Sequence, residues 1–220
     1  MLKIIIMVVV ALMSGIPGIC SAASSEPGAY VSGFLGVSVP RDTRASGTDS
    51  TTDFDDSVKF DPGIYLGGSG GYDFGMFRLE GELSYRYSEI DSITVQGLPQ
   101  FRRIDGNLGV FAMMFNGFFD LHNESPVTPY LGGGVGFATL HLSDTFARGN
   151  AGTFFYGSGD DTVFAYQAGA GIDIALNKRL SMDLGYRYFA TDNADFDSPE
   201  TFTSMKFRSH NAVAGVRVKF

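Results

Sequence analysis

Between Phe77 and Ser88 the chain alternates without a fault. Phe77, Leu79, Gly81, Leu83, Tyr85 and Tyr87 share one face of an extended segment, and Arg78, Glu80, Glu82, Ser84, Arg86 and Ser88 share the other. A helix would scatter these charges around its axis, whereas a strand separates them completely. A strand with four charges on one face and none on the other has to lie between two different environments.

Seven further segments alternate with less contrast: 28–39, 62–74, 103–119, 128–142, 162–175, 180–190 and 205–220. In the last, Ala212, Ala214, Val216, Val218 and Phe220 oppose Asn211, Val213, Gly215, Arg217 and Lys219. In 180–190, Leu180, Met182, Leu184, Tyr186 and Tyr188 oppose Ser181, Asp183, Gly185 and Arg187. Each segment is long enough for a tilted membrane strand, which needs about 9–11 residues. Three connections are short (near Gly75, at 120–127 and at 176–179), and four are longer (40–61, 90–102, 143–161 and 191–204). Short inner turns and long outer loops are the habit of outer-membrane barrels. Leu83-Ser84-Tyr85-Arg86-Tyr87 is echoed by Leu184-Gly185-Tyr186-Arg187-Tyr188, with tyrosines at a depth where ring and hydroxyl meet different media.

Which face points inward follows from side-chain size. The apolar faces are large and aromatic, while the opposite faces add small residues to the charges, as in Gly67, Ser69 and Gly71 or Gly132, Gly134 and Gly136. Small residues suit the crowded lumen of an eight-stranded barrel. Slipping 77–88 by one residue would put four charges into lipid, where each arginine costs roughly 2–4 kcal/mol at mid-depth. Unpaired edges are not tolerated in lipid, so 205–220 has to close on 28–39. The expected fold is all-β: a closed antiparallel up-and-down transmembrane β-barrel of about eight strands.

The start of the chain bears on its compartment. Lys3 precedes an apolar run from Ile4 to Met13, and Gly15, Pro17 and Gly18 follow. Cys20-Ser21-Ala22 or Ser21-Ala22-Ala23 would serve as a cleavage site. Residues 1–23 therefore read as a cleaved signal peptide, and 24–220 as a single barrel domain. Ten apolar residues span about 15 Å as a helix, half of a bilayer core. A lipoprotein signal at Cys20 is the alternative, against which stands the bulky Ile19. Cys20 is the only cysteine, so the mature chain has no disulfide and no thiolate metal site. The net charge is −8, or −9 once Lys3 is removed, which argues against nucleic acid as a partner.

The closing run Ser209-His210-Asn211-Ala212-Val213-Ala214-Gly215-Val216-Arg217-Val218-Lys219-Phe220 resembles the last strand of outer-membrane barrels. A terminal phenylalanine there resembles the signal read by the barrel-assembly machinery. Tyr30-Val31-Ser32-Gly33 and Pro129-Tyr130-Leu131-Gly132-Gly133-Gly134-Val135-Gly136 resemble the opacity-protein and surface-antigen families of eight-stranded, OmpA-like barrels. The resemblance covers nearly the whole mature chain. It implies residence in the outer membrane of a Gram-negative cell, with outer-membrane lipid and lipopolysaccharide as surroundings and Phe220 as the assembly signal. Members include adhesins, membrane-stabilising proteins and narrow channels, so no one activity is implied.

Candidate functional residues fall into three sets. The inward charges Arg78, Glu80, Glu82, Arg86, Asp173, Asp183, Arg187 and Arg217 are expected to form a lumen network, with Glu80 facing Arg217 and Lys219 lying lower. Paired, such charges are tolerated; they would plug the barrel, and a gated polar pathway is the alternative. The outer connections carry acids (Asp49, Asp53, Asp55, Asp56, Asp61, Asp192, Asp195, Asp197, Glu200), read as solvated tips or as ligands for divalent cations. They also carry Arg41, Arg44, Arg102, Arg103 and Arg148, candidates for lipopolysaccharide phosphates. Two enzyme-like patterns complete the list. Gly67-Gly68-Ser69-Gly70-Gly71 fits G-x-S-x-G but lies within a strand, not at the strand–turn–helix that motif requires. His141-Leu142-Ser143 loosely resembles the H-x-S of outer-membrane lipid A deacylases, without an evident carboxylate in Glu124 or Asp144. His122, His141 and His210 fall near different barrel ends. No cofactor and no catalytic role is expected. The anticipated function is structural or surface interaction through the loops (membrane integrity, adhesion to an extracellular ligand or lipopolysaccharide contact), with a narrow channel as the alternative and a lipid-modifying enzyme a distant third.

Overall fold

The computed structural model describes residues 27–49, 52–95, 100–102, 104–121, 125–147, 154–197 and 201–220. The expected signal peptide, 1–23, lies outside them. The strands in chain order are β1 (Gly28–Pro40), β2 (Thr43–Asp49), β3 (Thr52–Phe60), β4 (Gly63–Asp73), β5 (Phe77–Thr94), β6 (Phe101–Arg102) and β7 (Ile104–Asp105). Then follow β8 (Asn107–Asp120), β9 (Val127–Leu142), β10 (Thr145–Ala147), β11 (Phe154–Tyr156), β12 (Gly159–Ala175), β13 (Leu180–Asp197) and β14 (Thr201–Lys219). Eight of them form the ring β1–β4–β5–β8–β9–β12–β13–β14, and β14 pairs back onto β1 from Tyr30↔Lys219 to Pro40↔Ser209. Every neighbouring pair in the ring is antiparallel.

The ring is staggered. Following facing partners from Ala29 through Tyr72, Leu79, Gly117, Gly133, Ala168, Tyr188 and His210 leads back to β1 at Val39, ten residues along the same strand. With eight strands this stagger sets a strand tilt of about 40°. The alternation does what the sequence implies. Val31, Leu35, Leu66, Leu83, Phe111, Met113, Phe115, Leu131, Val135, Phe137 and Val216 are exposed on the outer wall, while Arg78, Glu80, Glu82, Ser84, Arg86 and Ser88 are buried inside.

The three tight connections are where they were expected. At 74–76 Gly75 has φ 101°, in the left-handed region glycine enters without penalty, and its N–H donates to Asp73 at 2.7 Å. The four long connections are not simple loops. Most of their described residues continue the strands upward: β2 pairs with β14 and β3 with β5, while β10 pairs with β7 and β11. The strands break just above the lipid-facing band, at 41–42, 61–62, 106, 143–144 and 157–158. Pro62, without an N–H, ends one ladder. Above the breaks the wall rises about eight more residues, roughly 20 Å at this tilt. Alternation persists there, with Val58, Phe60, Ile90, Ile93, Phe196, Met205 and Phe207 inward. The acidic residues between them hid it from a reading by composition.

Candidate functional site

The lumen is built in layers. At the inner mouth Lys219 pairs with Asp73 (2.9 Å), and Arg78 with Asp120 (2.6 Å). The Arg78 guanidinium lies 5.3 Å from the Phe118 ring and 5.0 Å from that of Tyr130. In the next layer Arg217 meets Asp173 at 2.5 Å and Asp183 at 3.8 Å. Ser181 donates to Asp173 and Tyr130 to Asp183. Glu82 sits higher and accepts from Tyr65 (3.0 Å), Asn116 (3.0 Å), Gln167 (3.1 Å) and Arg187 (2.5 Å). Arg86 lies highest, sandwiched between the rings of Tyr65 (4.1 Å) and Phe189 (3.9 Å), with one bond to Ser84.

The eight inward charges therefore do share the lumen, but not in all the expected pairs. Glu80 does not meet Arg217. It accepts from Tyr30 (2.9 Å), Ser69 (3.0 Å) and Asn116 (3.3 Å). Tyr30 bonds Glu80 through its hydroxyl and presents its ring to Arg217 at 5.0 Å. Arg86 has no ion pair among the described residues. The interior is also not charged throughout. Above Arg86 it becomes a hydrophobic core that includes Val58, Ile90, Leu108, Leu140, Phe196 and Phe207 and rises into the wall beyond the lipid band. Sequence reasoning missed Tyr30, Tyr65, Asn116, Tyr130 and Gln167. All are on inward phases, so their alternation marked them; neutral side chains simply drew no notice beside the charges. The free space is small. The cavity beside Glu80 and Arg187 measures about 10 Å³, room for one water at most.

The outer features divide differently. Asp56, expected on a solvated loop tip or at a divalent cation, is instead buried in the upper core and accepts from Tyr156 at 3.0 Å. Burial, and then the Asp56 carboxylate, raise the Tyr156 phenol above its ordinary range. Asp61, Asp192 and Asp195 are exposed. The side chains of Asp49, Asp53, Asp55, Arg102, Arg103, His122, Glu124, Arg148, Asp197 and Glu200 lie outside the described residues. His141 does have a carboxylate, Asp160 on the adjacent strand at 2.5 Å, both well exposed on the outer wall. Ser143 is turned away from it and exchanges hydrogen bonds with the Asn107 backbone (2.8 and 3.3 Å). Ser69 of the G-x-S-x-G run points into the lumen, bonded to Ser32 and Glu80. Among the described residues no group of three or more metal-ligating side chains converges.

Comparison with known proteins agrees with this architecture. The family model for the outer membrane protein beta-barrel domain matches residues 8–220. The outer membrane protein PagN of Salmonella typhimurium is 30% identical over 186 residues, 76% of each chain. Among solved structures, the outer membrane protein OprG from Pseudomonas aeruginosa is similar with a TM-score of 0.63 at 13% identity, covering 88% of this chain and 96% of that one. Neisserial surface protein A is similar with a TM-score of 0.53 at 20% identity, covering 89% and 99%. Likenesses at such identities speak to the fold.

Proposed function

The chain belongs to the outer membrane protein β-barrel domain family and resides in the Gram-negative outer membrane, and we propose that it is a non-conducting, non-enzymatic barrel whose working part is its raised outer end. One observation carries this reading. The lumen is closed by ion pairs below and by a hydrophobic core above, and that core continues past the lipid-facing band into the extended wall. A channel has no use for such a core. A platform does, because buried apolar area makes a protruding wall rigid. The role is then surface interaction or envelope integrity, and the signal peptide at 1–23 delivers the chain for assembly.

Planar-bilayer recordings of refolded protein test the closed lumen: a flat baseline is expected, and stable conductance steps at neutral pH would favour the channel. Cells displaying a variant in which a short turn replaces β2 and β3 test the platform. Surface attachment should fall while outer-membrane abundance holds. Unchanged attachment would refute the role of the wall. The enzyme reading rests on His141 and Ser143, whose functional groups the structure directs to different partners.

A further inference from the structure

One patch of the outer wall departs from the charge of the whole. The chain carries a net charge of −8. Yet the outward positions just above the apolar band are Arg41 in the break between β1 and β2, Arg44 on β2, and Lys206 and Arg208 on β14. Two contacts align them: the Arg41 N–H donates to the Arg208 carbonyl (2.8 Å), and the Thr43 hydroxyl to the Lys206 carbonyl (2.6 Å). Together with Asp42 and Asn193 they line a groove of about 350 Å³. Asp42 is engaged by Lys59 at 3.4 Å. None of the four cations has an ion pair with a described residue. The lumen arginines lower down are satisfied by carboxylates or aromatic rings, whereas this cluster has no such partner among the described residues.

The surface directly beneath says what kind of anion would fit. His210 pairs with Val39 across the β1–β14 ladder, and its Nδ1 lies 2.6 Å from the Tyr186 hydroxyl. The Tyr188 ring is 5.4 Å from the His210 ring. Lower on the same strands the wall is purely apolar, with Leu35, Ala214, Val216, Val31 and Val218 facing out. From top to bottom, the strip runs from cations, through aromatic and polar groups, to bare hydrocarbon. Elsewhere at the upper level the described outward charges are mainly acidic, with Glu89 and Asp91 on β5 and Asp160 on β12.

We propose that this strip is a binding site for lipid A, the anionic amphiphile of the outer leaflet. Its phosphates sit in the groove among Arg41, Arg44, Lys206 and Arg208, and its acyl chains lie along the β1–β14 wall. Guanidinium groups bind phosphate oxygens in pairs, and four cations side by side, with no ion pair among the described residues, repel one another until an anion neutralises them. An amphiphile satisfies both ends of the strip at once, whereas a free anion would leave the lower part unused. The site deepens the surface role proposed above by naming one partner, but it stands apart from the upper wall and survives if the attachment experiment fails.

The test uses full-length refolded protein in detergent micelles and titrates bisphosphorylated lipid A, the same lipid with its phosphates removed, and inorganic phosphate. The parent protein should bind the bisphosphorylated lipid at least about tenfold more tightly than the dephosphorylated one. The quadruple variant Arg41→Gln, Arg44→Gln, Lys206→Gln, Arg208→Gln should lose that preference, with its far-ultraviolet circular dichroism unchanged. A control variant at the inner turn, Lys178→Gln with Arg179→Gln, should keep it. If the quadruple variant fails to fold, Arg41→Gln with Arg208→Gln serves and should lose at least half of the preference. Equal binding by folded quadruple variant and parent, equal affinity for both lipids, or full displacement by millimolar inorganic phosphate would each overturn the site.

Discussion

Glu82 and Arg187 allow the lumen network to be weighed. The carboxylate is fully buried and accepts from three neutral donors and one guanidinium. Arg187 has Tyr65 at 3.3 Å and the Phe34 ring at 4.8 Å as its other neighbours. Arg187→Met leaves a buried carboxylate without its counter-charge, and Glu82→Gln leaves a buried guanidinium in the same position. Breaking a buried pair from one side costs about 3–5 kcal/mol. Removing both charges is different, because replacing a buried pair with neutral groups of similar volume is often neutral. In the double variant the side-chain amide introduced at position 82 can turn its oxygen to the Asn116 and Gln167 donors and its N–H to the Tyr65 hydroxyl oxygen, which also accepts. The double variant should therefore lie within about 2 kcal/mol of the parent, a coupling of about 4 kcal/mol or more. The assay is reversible urea unfolding in micelles, followed by far-ultraviolet circular dichroism since the chain has no tryptophan. If the two single losses simply add in the double variant, the pair does not hold the lumen together and the reasoning fails.

Three further outcomes follow from other layers. Arg86 has two guanidinium nitrogens without a hydrogen-bond partner and no ion pair among the described residues; Arg86→Met exchanges a ring contact worth about 2 kcal/mol for relief of desolvation, so unfolding should show stability within about 2 kcal/mol of the parent. A Cβ at position 134 would fall 2.0 Å from the Asn116 side-chain oxygen and 2.4 Å from the Phe115 carbonyl; Gly134→Val should cost about 3 kcal/mol or block folding, read as the folded fraction after dilution from urea. The Phe220 side chain is largely exposed and its N–H donates to Ala29 at 3.0 Å. Deleting it should leave the refolded protein within about 1 kcal/mol of the parent while lowering the amount assembled in cells; equal cellular assembly would refute an assembly signal there.

The lipid-spanning part of the fold was legible because lipid punishes every error of register. Arg78, Glu80, Glu82 and Arg86 have only one face on which they can sit, and the strand that carries them sets its neighbours by pairing. The wall above the lipid is under no such constraint. Water accepts Asp61, Asp192 and Asp195 on any exposed surface, so acidic composition there reads as loop whether or not the backbone is paired. Val58, Phe60, Phe196 and Phe207 were the signal that the alternation continued. They recur on inward phases between polar residues, and a count of charge averages them away.

Partners inside the lumen were harder to read, and the reason is geometric. Which residues face inward follows from period two, but which of them meet depends on a ten-residue stagger spread over eight strands. Glu80 is expected to face Arg217, but the tilted wall puts Tyr30 between them. Strand neighbours count as much as height: Asp173 and Asp183 reach Arg217 because β12, β13 and β14 lie side by side. Arg86 shows the consequence most clearly. It is the highest arginine of its strand, above the Glu82 layer, and two aromatic rings take the place of an acid. The change from charge to hydrocarbon thus occurs at Arg86, and above it the described interior is hydrophobic core with the Asp56–Tyr156 contact set into it. A barrel sealed only by ion pairs would still admit water between its layers; one capped by packed Ile90, Leu140 and Phe207 would not.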